Sequence, residues 1–334
     1  MPVYKSRVVF EIKKGLRAFL NLEAGLSRGG EVPDFEQEFK RARERIAQKD
    51  RRISALQKEL AGAKAGARPR PARQKVASNG KGTPAGADDL APPEELQHLG
   101  GAGRGYRAIG QRWFKLLTTE LGGLRPHESV LDVGCGVGRI AAPLTGYLTT
   151  GTYDGFDIAP EGIAWCQENI TPRYPNFRFQ TADIYNKRYN PEGGHTASNY
   201  EFPYEDGSFD LVFLASIFTH LLPEDMENYF SEISRVLKDG GRCVISYFLL
   251  NERSVKFIEA GQFPPGVPRF VHDHGNYRVQ SEEVPEEAIA HDEQEVRKLY
   301  NKYGLSIVEP VRYGAWAGGE NSSGGQDVIL AKKD

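Results

Sequence analysis

Cysteine is scarce in this chain, with three cysteines among 334 residues. Cys135, Cys166 and Cys243 form no Cys-x-x-Cys pair and no cluster with histidine. This spacing excludes a disulfide framework and gives no sign of a structural zinc site, since both need closely grouped ligands. We therefore expect three buried thiols and no bound metal.

Long apolar runs are also missing, so no segment reaches the roughly 18 apolar residues that a membrane-spanning helix needs. Residues 1–26 are basic along their length and lack a small-residue cleavage site after an apolar core. A secretory leader is therefore not indicated. Together these absences predict a cytoplasmic protein.

Charge is unevenly distributed, although the net charge is only −2. Residues 1–90 contain 20 Lys and Arg against 11 Asp and Glu, which leaves 23 against 34 for the remainder. A basic segment can bind nucleic acid. Here most of the positive charge falls on the outer face of a predicted helix and on a linker, so the pattern does not favour nucleic acid as a partner.

Residues 1–63 carry a helical repeat of apolar side chains. From residue 35 the apolar positions alternate spacings of four and three residues, with one break at Lys49: Phe35, Phe39, Ala42, Ile46, Ile53, Leu56 and Leu60. Such a narrow stripe predicts a coiled coil that gathers copies of the chain into a homo-oligomer. A single amphipathic helix lying on the folded domain is the alternative. Residues 4–26 fit either a peripheral membrane helix or a continuation of the helical assembly.

Residues 64–97 are rich in alanine, glycine, proline and charge. Almost nothing in them can be buried to offset the entropy of ordering. They are predicted to form a disordered linker between the helical region and a domain at 98–334.

From about residue 106, predicted strands and helices alternate, with buried strands such as "SVLDVG" and "FDLVFLASIF". This order predicts an α/β fold with a doubly wound, mostly parallel, seven-stranded sheet. The last two strands, "LSIVEPVRY" and "QDVILAKK", have no helix between them. They are expected to form an antiparallel hairpin.

The stretch "VLDVGCGVGRI" places glycines at 134, 136 and 138 after a predicted strand. A nicotinamide fingerprint needs its third glycine three residues after the second, and Arg139 occupies that place. Asp132 precedes the first glycine, and its carboxylate suits a cationic ligand better than a pyrophosphate. The sign of the charge therefore indicates S-adenosylmethionine, which carries a sulfonium and an ammonium group.

Four motifs, "VLDVGCGVGR", "GFDI", "TADI" and "RVLKDGGRCVI", occur in this order, each near a strand end. Residues 106–250 thereby resemble a class I S-adenosylmethionine-dependent methyltransferase of the small-molecule or glycan type. The glycines let the backbone turn tightly and approach the ligand. Asp157, with Ile158 beside it, ends the second strand, where a carboxylate can accept both ribose hydroxyls. Asp154, inside that strand, is the weaker candidate.

The resemblance implies further contacts with the cofactor. Asp183 is expected to accept the adenine amino group, with Ile184 beside the ring, and Ser216 after Ala215 to lie near the methionine part. Arg139, Arg107 or Arg112 is expected to bind the methionine carboxylate, and the sequence does not decide between them. A tight turn and helix caps are the purely structural alternative for a single position.

His220, in "SIFTHL" just beyond the fourth strand, is the predicted catalytic base, because strand carboxyl ends line the ligand crevice in such sheets. A packing role is the alternative. His272 and His274 fall in residues 251–290, which the resemblance implies is a lid over the acceptor. Magnesium binding by this His-Asp-His sequence is not favoured, because Mg²⁺ prefers oxygen ligands.

The acceptor is predicted to be a small molecule or glycan, methylated at a hydroxyl oxygen. The insertion "IYNKRYNPEGGHTASNYEFPYEDGS" and the loop "RYGAWAGGENSSGGQD" mix aromatic and polar residues, as polar ring-bearing ligands require. No Asp-Pro-Pro-Tyr or Asn-Pro-Pro-Tyr run follows the fourth strand. This absence argues against methylation of a nucleobase or of a glutamine amino group by the enzymes that use those motifs. A nucleic-acid or protein methyltransferase docked by the basic N-terminal arm, or a non-catalytic scaffold that binds the cofactor, is the alternative.

Overall fold

A computed structural model describes residues 90–100, 105–121, 123–261, 263, 266–318 and 325–334. The predicted coiled coil, the membrane-surface helix at 4–26 and the linker up to residue 89 lie outside these residues. The homo-oligomer was predicted from this coiled coil and therefore stays a prediction. None of the described helices has the length and apolar character to cross a bilayer.

The described part contains short helices and strands in alternation. The α-helices are α1 Tyr106–Lys115, α2 Ala141–Leu144, α3 Pro160–Asn169, α4 Pro223–Val236, α5 Glu252–Glu259 and α6 Glu293–Lys302. The strands are β1 Ser129–Val133, β2 Thr152–Asp157, β3 Phe177–Thr181, β4 Phe209–Leu214, β5 Leu237–Tyr247, β6 Leu249–Leu250, β7 His272–Asp273, β8 Tyr277–Val279, β9 Ile289–Asp292, β10 Leu305–Ile307 and β11 Asp327–Lys333.

Seven strands form the main sheet, in the order β10-β11-β5-β4-β1-β2-β3. Strands β1 to β5 run parallel, whereas β11 is antiparallel to β5 and to β10. This confirms the predicted seven-stranded fold and its antiparallel hairpin. Because β1 lies between β4 and β2, the chain departs from β1 in one direction and later returns on its other side. Ligands bind at such a switch point, outside the carboxyl ends of the strands.

Apolar side chains cover both faces of the sheet. Leu131 and Val133 pack on one face with Phe230 of α4. Val130 packs on the other face with Ile163 of α3. Strands buried on both faces read as continuous apolar runs, which is why β1 and β4 were recognisable in the sequence. Cys135, Cys166 and Cys243 are buried free thiols, as expected.

A second sheet, of four short strands in the order β6-β9-β8-β7, spans residues 249–292 and so brackets the segment 251–290 that was predicted as a lid. Phe248, Phe270 and Trp316 pack together in a separate apolar cluster beside it. The sequence did not predict this sheet, because strands of two to four residues are too short to show a period.

Residues 90–97 belong to the described fold rather than to the predicted linker. Leu90 is only 1% exposed, and a 3-10 helix occupies Glu94–Gly100. Burying one leucine side chain contributes about 1.5 to 3 kcal/mol. Pro92 is buried as well, and Leu96 and Leu99 are partly buried, so the boundary of the folded domain lies before residue 90 rather than at residue 98.

Candidate functional site

A cavity of about 250 Å³ opens at the carboxyl ends of β1, β2 and β4. Seven of the predicted site residues line it: Gly134, Arg139, Asp157, Ile158, Ile184, Ser216 and His220. The predicted Asp132, Gly136, Gly138 and Asp183 are not among its lining residues. The structure thus brings together, around one cavity, predicted site residues that lie up to 86 positions apart in the sequence.

The glycine loop after β1 forms one wall of this cavity. Gly134, Gly136 and Gly138 have φ of 82°, 55° and 70°, which only glycine adopts without strain. A Cβ on Gly134 would lie 2.0 Å from Cδ1 of Ile217, and one on Gly138 would lie 2.7 Å from Cδ1 of Ile170. Both the backbone conformation and the close packing therefore require glycine at these positions.

Asp157 connects this loop to the end of β2. Its Oδ2 accepts a hydrogen bond from the Gly136 amide at 2.7 Å, and its Oδ1 accepts one from the Ala159 amide at 2.9 Å. Burial raises the pKa of this carboxyl, while the hydrogen bonds from the backbone of Ala159, Gly136 and Ile158 act in the opposite direction. A carboxylate has about four lone-pair sites and can accept more hydrogen bonds than these, and Asp157 lines the cavity. Asp157 can therefore hold the loop and accept ligand hydroxyls together.

Asp132 lies beneath the loop, 1% exposed, and does not touch the cavity. The Tyr153 hydroxyl donates to its Oδ2, while its buried Oδ1 has no hydrogen-bond partner among the described residues. Burial raises the pKa of Asp132 to about 7, and the nearby charge of Asp157 acts in the same direction. Direct contact between Asp132 and the cofactor stays a prediction.

Asp183 and Ile184 follow β3 and face different surroundings. Asp183 is exposed, and its Oδ1 accepts a hydrogen bond from the Gly194 amide at 3.0 Å. Ile184 is buried and lines the cavity together with Tyr185. The predicted adenine contact of Asp183 stays a prediction, whereas Ile184 lies where an adenine ring could pack.

The structure distinguishes the three arginines that the sequence left open. Arg139 lines the cavity, and its Nε is buried with no hydrogen-bond partner among the described residues. Burial lowers the pKa of this guanidinium. Arg107 and Arg112 are exposed and do not line the cavity. A buried donor without a partner is costly, so Arg139 is suited to an anionic group of a ligand.

Ser216 lies after β4 with φ of 64°, as the one non-glycine residue with positive φ in the described part. Its amide donates to Ser246 Oγ at 2.8 Å, and its own Oγ donates to Gln326 Oε1 at 2.9 Å. Side chains rarely adopt this backbone conformation, and such strain concentrates at functional sites. The two hydrogen bonds hold the strained turn against the cavity.

His220 lines the cavity, three residues after Ile217 in the turn that follows β4. Its Nδ1 lies 2.9 Å from the Glu286 carbonyl oxygen, which can only accept, so Nδ1 carries the proton. In the neutral ring Nε2 then has a free lone pair. Burial lowers the pKa of His220, and the charge of Arg188 lowers it further. The neutral form, which can accept a proton, is therefore favoured at neutral pH.

Two segments hold His220 between them. The Tyr189 ring meets the imidazole edge-to-face at a centroid distance of 5.3 Å. Arg188 pairs with Glu287 at 2.9 Å, which joins the insertion after β3 to the lid segment. The insertion was predicted to shape the pocket from its composition, and the cavity lining agrees.

His272 and His274 do not line the cavity. Their ring nitrogens lie 3.5 and 3.2 Å from Oε1 of Glu282. An acceptor-contacting role for either histidine is not supported by this position. Within the described ranges, no group of three or more His, Cys, Asp or Glu side chains is arranged to hold a metal ion.

Sequence reasoning missed several lining residues: His98, Leu99, Asn186, Leu221 and Tyr229. His98 and Leu99 come from the 3-10 helix that was assigned to the edge of the linker. No spacing or motif in the sequence predicts this contact, since residues 90–97 were assigned to the linker.

Residues 131–245 match the family described as "Methyltransferase domain". Together with the sheet order, the glycine loop and Asp157, this match identifies a class I S-adenosylmethionine-dependent methyltransferase domain. S-adenosylmethionine is accordingly the cofactor of the domain.

Particular relatives are similar over part of the chain. A sterol 24-C-methyltransferase of Gibberella zeae is 31% identical over 134 residues, which are 39% of this chain and 30% of the relative. A phthiotriol/phenolphthiotriol dimycocerosates methyltransferase of Mycobacterium tuberculosis is 31% identical over 122 residues, 36% of this chain and 37% of that one. The chain thus spans about a third of the length of these curated relatives.

Two solved structures are also similar. The magnesium protoporphyrin IX methyltransferase of Synechocystis, with bound SAH, has a TM-score of 0.44 at 18% identity, covering 70% of this chain and 85% of that one. A SAM-dependent methyltransferase of Methanosarcina mazei has a TM-score of 0.41 at 23% identity, covering 63% and 94%.

Proposed function

We propose that this chain transfers a methyl group from S-adenosylmethionine to a hydroxyl oxygen of a small molecule or glycan. The observation that carries the proposal is that one cavity is lined by Asp157, by Arg139, whose Nε has no hydrogen-bond partner among the described residues, and by His220, whose Nδ1 faces a carbonyl oxygen. The curated relatives are named for acting on a sterol and on phthiotriol, which supports a small-molecule acceptor.

The residues around the glycine loop suit the cofactor. Asp157 is placed to accept hydrogen bonds from the ribose hydroxyls. Ile158 and Ile184 provide apolar surfaces for the adenine ring. Arg139 offers its buried Nε to the methionine carboxylate, which would satisfy that donor. Gly134 leaves open the space that a Cβ would fill beside Ile217.

Methyl transfer requires alignment and removal of one proton. When bound, S-adenosylmethionine supplies a methyl group on a cationic sulfur that departs neutral. The chain's task is to hold donor and acceptor in line. His220 Nε2 accepts the hydroxyl proton as the oxygen attacks, and the Glu286 carbonyl stabilises the resulting imidazolium through Nδ1. A base of this kind contributes a factor of about 10² to 10⁴.

The N-terminal coiled coil, residues 1–63, extends this proposal to the whole chain. It would join several copies in the cytoplasm, and the linker would let each domain reach its acceptor. Neither a nucleic-acid or protein acceptor docked by the basic arm nor a cofactor-binding scaffold is supported by the cavity. A scaffold would not need a neutral histidine base at its wall.

The proposal is tested in two stages with the full chain. Calorimetry should show S-adenosylhomocysteine binding and no NADH binding. Labelled S-adenosylmethionine is then supplied with a panel of phenols, sugars and cell extracts, and the product that gains label is identified. His220→Gln should retain S-adenosylhomocysteine affinity and lose at least about 10²-fold in turnover. Wild-type turnover of His220→Gln across pH 6 to 9 would assign His220 a structural role.

Truncation of residues 1–89, which keeps the buried Leu90, separates the alternatives for the acceptor. If the basic arm docks nucleic acid, its loss should abolish a steeply salt-dependent activity. If the arm assembles copies of the chain, turnover on a soluble acceptor should persist while the oligomer mass falls.

A further inference from the structure

We propose that the acceptor is a neutral, mostly apolar molecule whose reacting hydroxyl lies on a planar aromatic ring, that is, a phenol rather than a sugar. This inference rests on the methyl transfer proposed above and narrows its acceptor class. It follows from which polar atoms at the His220 side of the cavity are still free to bind a ligand.

Charged side chains are few in the lining of the cavity. Among the described lining residues, the Arg, Lys, Asp and Glu side chains are Arg139 and Asp157 alone. Both belong to the part of the lining where the cofactor is expected. Arg188, whose charge acts on His220, is paired with Glu287 at 2.9 Å. A charged acceptor at His220 would therefore bury its charge without a free counter-ion, which is strongly unfavourable.

The polar side chains nearby are already used within the protein. Asn186 Oδ1 accepts from the amides of Arg188 and Tyr189 at 3.1 and 3.0 Å, and its Nδ2 donates to the His220 carbonyl at 3.4 Å. Ser216 Oγ donates to Gln326. The other polar side chains of the lining are His220, with its Nε2, and His98, Tyr185, Tyr189 and Tyr229, which offer one ring nitrogen or one hydroxyl each. A sugar carries a hydroxyl on most of its carbons and would bury several of them without partners, which is costly, whereas a phenol needs one partner.

Tyr189 provides a platform for a planar ring next to this base. Its side chain lies in the cavity wall yet is 52% exposed. Arg188 lies over the ring at 5.2 Å from its centroid, and the Tyr189 amide donates a hydrogen bond to Asn186 Oδ1, which fixes the turn. An aromatic acceptor that stacks on the open part of Tyr189 places its hydroxyl toward His220, since the two rings are 5.3 Å apart.

The experiment measures binding to the full chain saturated with S-adenosylhomocysteine, by calorimetry or saturation-transfer NMR. The probes are 2-naphthol, its saturated analogue 2-decalol, and methyl α-D-glucopyranoside. We expect 2-naphthol to bind at least about 5-fold more tightly than 2-decalol, and the glucoside to show no saturable binding. Equal or tighter binding of the glucoside overturns the proposal, and so does equal affinity for the two ring alcohols.

Variants locate the binding. Tyr189→Ala should weaken 2-naphthol binding about 5- to 10-fold, whereas Tyr189→Phe should bind it as the wild type does. Tyr313→Ala is the matched control, because Tyr313 is similarly exposed, at 40%, and is not part of this cavity. Unchanged affinity in Tyr189→Ala overturns the proposal. Failure of S-adenosylhomocysteine to bind overturns the methyl transfer as well, whereas failure of the ring probe alone overturns only the acceptor class.

Discussion

The two walls of the cavity are built in different ways. The glycine-loop wall uses backbone conformations and a carboxylate at the end of β2, all within 26 residues of sequence from Asp132 to Asp157. The His220 wall joins the turn after β4 to the insertion after β3 and to Glu286 and Glu287, through a hydrogen bond to the Glu286 carbonyl and an ion pair between Arg188 and Glu287.

This difference separates two demands on the protein. A cofactor that never changes can be held by geometry that tolerates almost no substitution, such as the close contact of Gly134 with Ile217. The acceptor proposed above would instead contact side chains on inserted loops, which can vary without altering the sheet. Four substitutions test this difference, three in the glycine-loop wall and one in the His220 wall.

The largest effect is expected for Asp157→Ala. It removes the acceptor of the Gly136 and Ala159 amides and the predicted ribose ligand, so S-adenosylhomocysteine affinity should fall by about 2 to 4 kcal/mol. Calorimetry measures this loss. Asp154→Ala is the control, because Asp154 pairs with Arg178 away from the cavity. An equal loss in both variants would show that the ribose assignment is wrong.

Gly134→Ala should follow in size. The new Cβ overlaps Ile217, and φ of 82° disfavours a side chain, so the unfolding free energy should fall by about 1 to 3 kcal/mol. Chemical denaturation measures it. Gly134→Ala combined with Ile217→Ala relieves the overlap but not the backbone strain, and should still be less stable than Ile217→Ala alone. Gly207→Ala, at a positive φ with open space around it, controls for the backbone contribution.

Asp132→Asn tests the buried acid beneath the loop. The pKa of Asp132 is about 7 in the folded state and about 3.9 when unfolded, so between these values the folded state binds more protons. The unfolding free energy of the wild type should therefore fall, by up to about 2 kcal/mol, as the pH rises from 5 to 7. The variant should lack this fall. Parallel melting curves for wild type and variant across this range would contradict the raised pKa.

The smallest effect is expected for Arg188→Gln on the other wall. Its charge lowers the pKa of His220, so the substitution should raise that pKa, whereas Glu287→Gln removes the ion-pair partner of Arg188 and should lower it. The free energy that corresponds to each pKa shift should stay within about 1 kcal/mol, as expected for a partly exposed ion pair. NMR titration of the His220 ring measures them. Arg178→Gln, which alters a different ion pair, should leave the His220 titration unchanged, and a shift there would indicate a nonlocal cause.

The sequence predicted the glycine-loop wall better than the His220 wall, for physical reasons. Periodicity revealed the main strands, and positive-φ turns demand glycine, so Gly134, Gly136 and Gly138 were visible as letters. The sequence did not decide between Arg139, Arg107 and Arg112, because burial decides it. Only the structure shows that the Nε of Arg139 is buried without a hydrogen-bond partner among the described residues. His220 was predicted from its place after β4. The Glu286 carbonyl that sets its tautomer lies 66 positions away and carries no side-chain signature.

Cys135 links the glycine loop to a practical consequence. It is a free thiol, 5% exposed, in the wall of the cavity, and burial holds its pKa well above the usual value. Alkylating reagents attack the thiolate, so this sulfur should react slowly in the folded protein. A molecule seated against Cys135 should slow its labelling further, whether or not any reaction follows, so the labelling rate reports occupancy of the cavity without an assay of turnover.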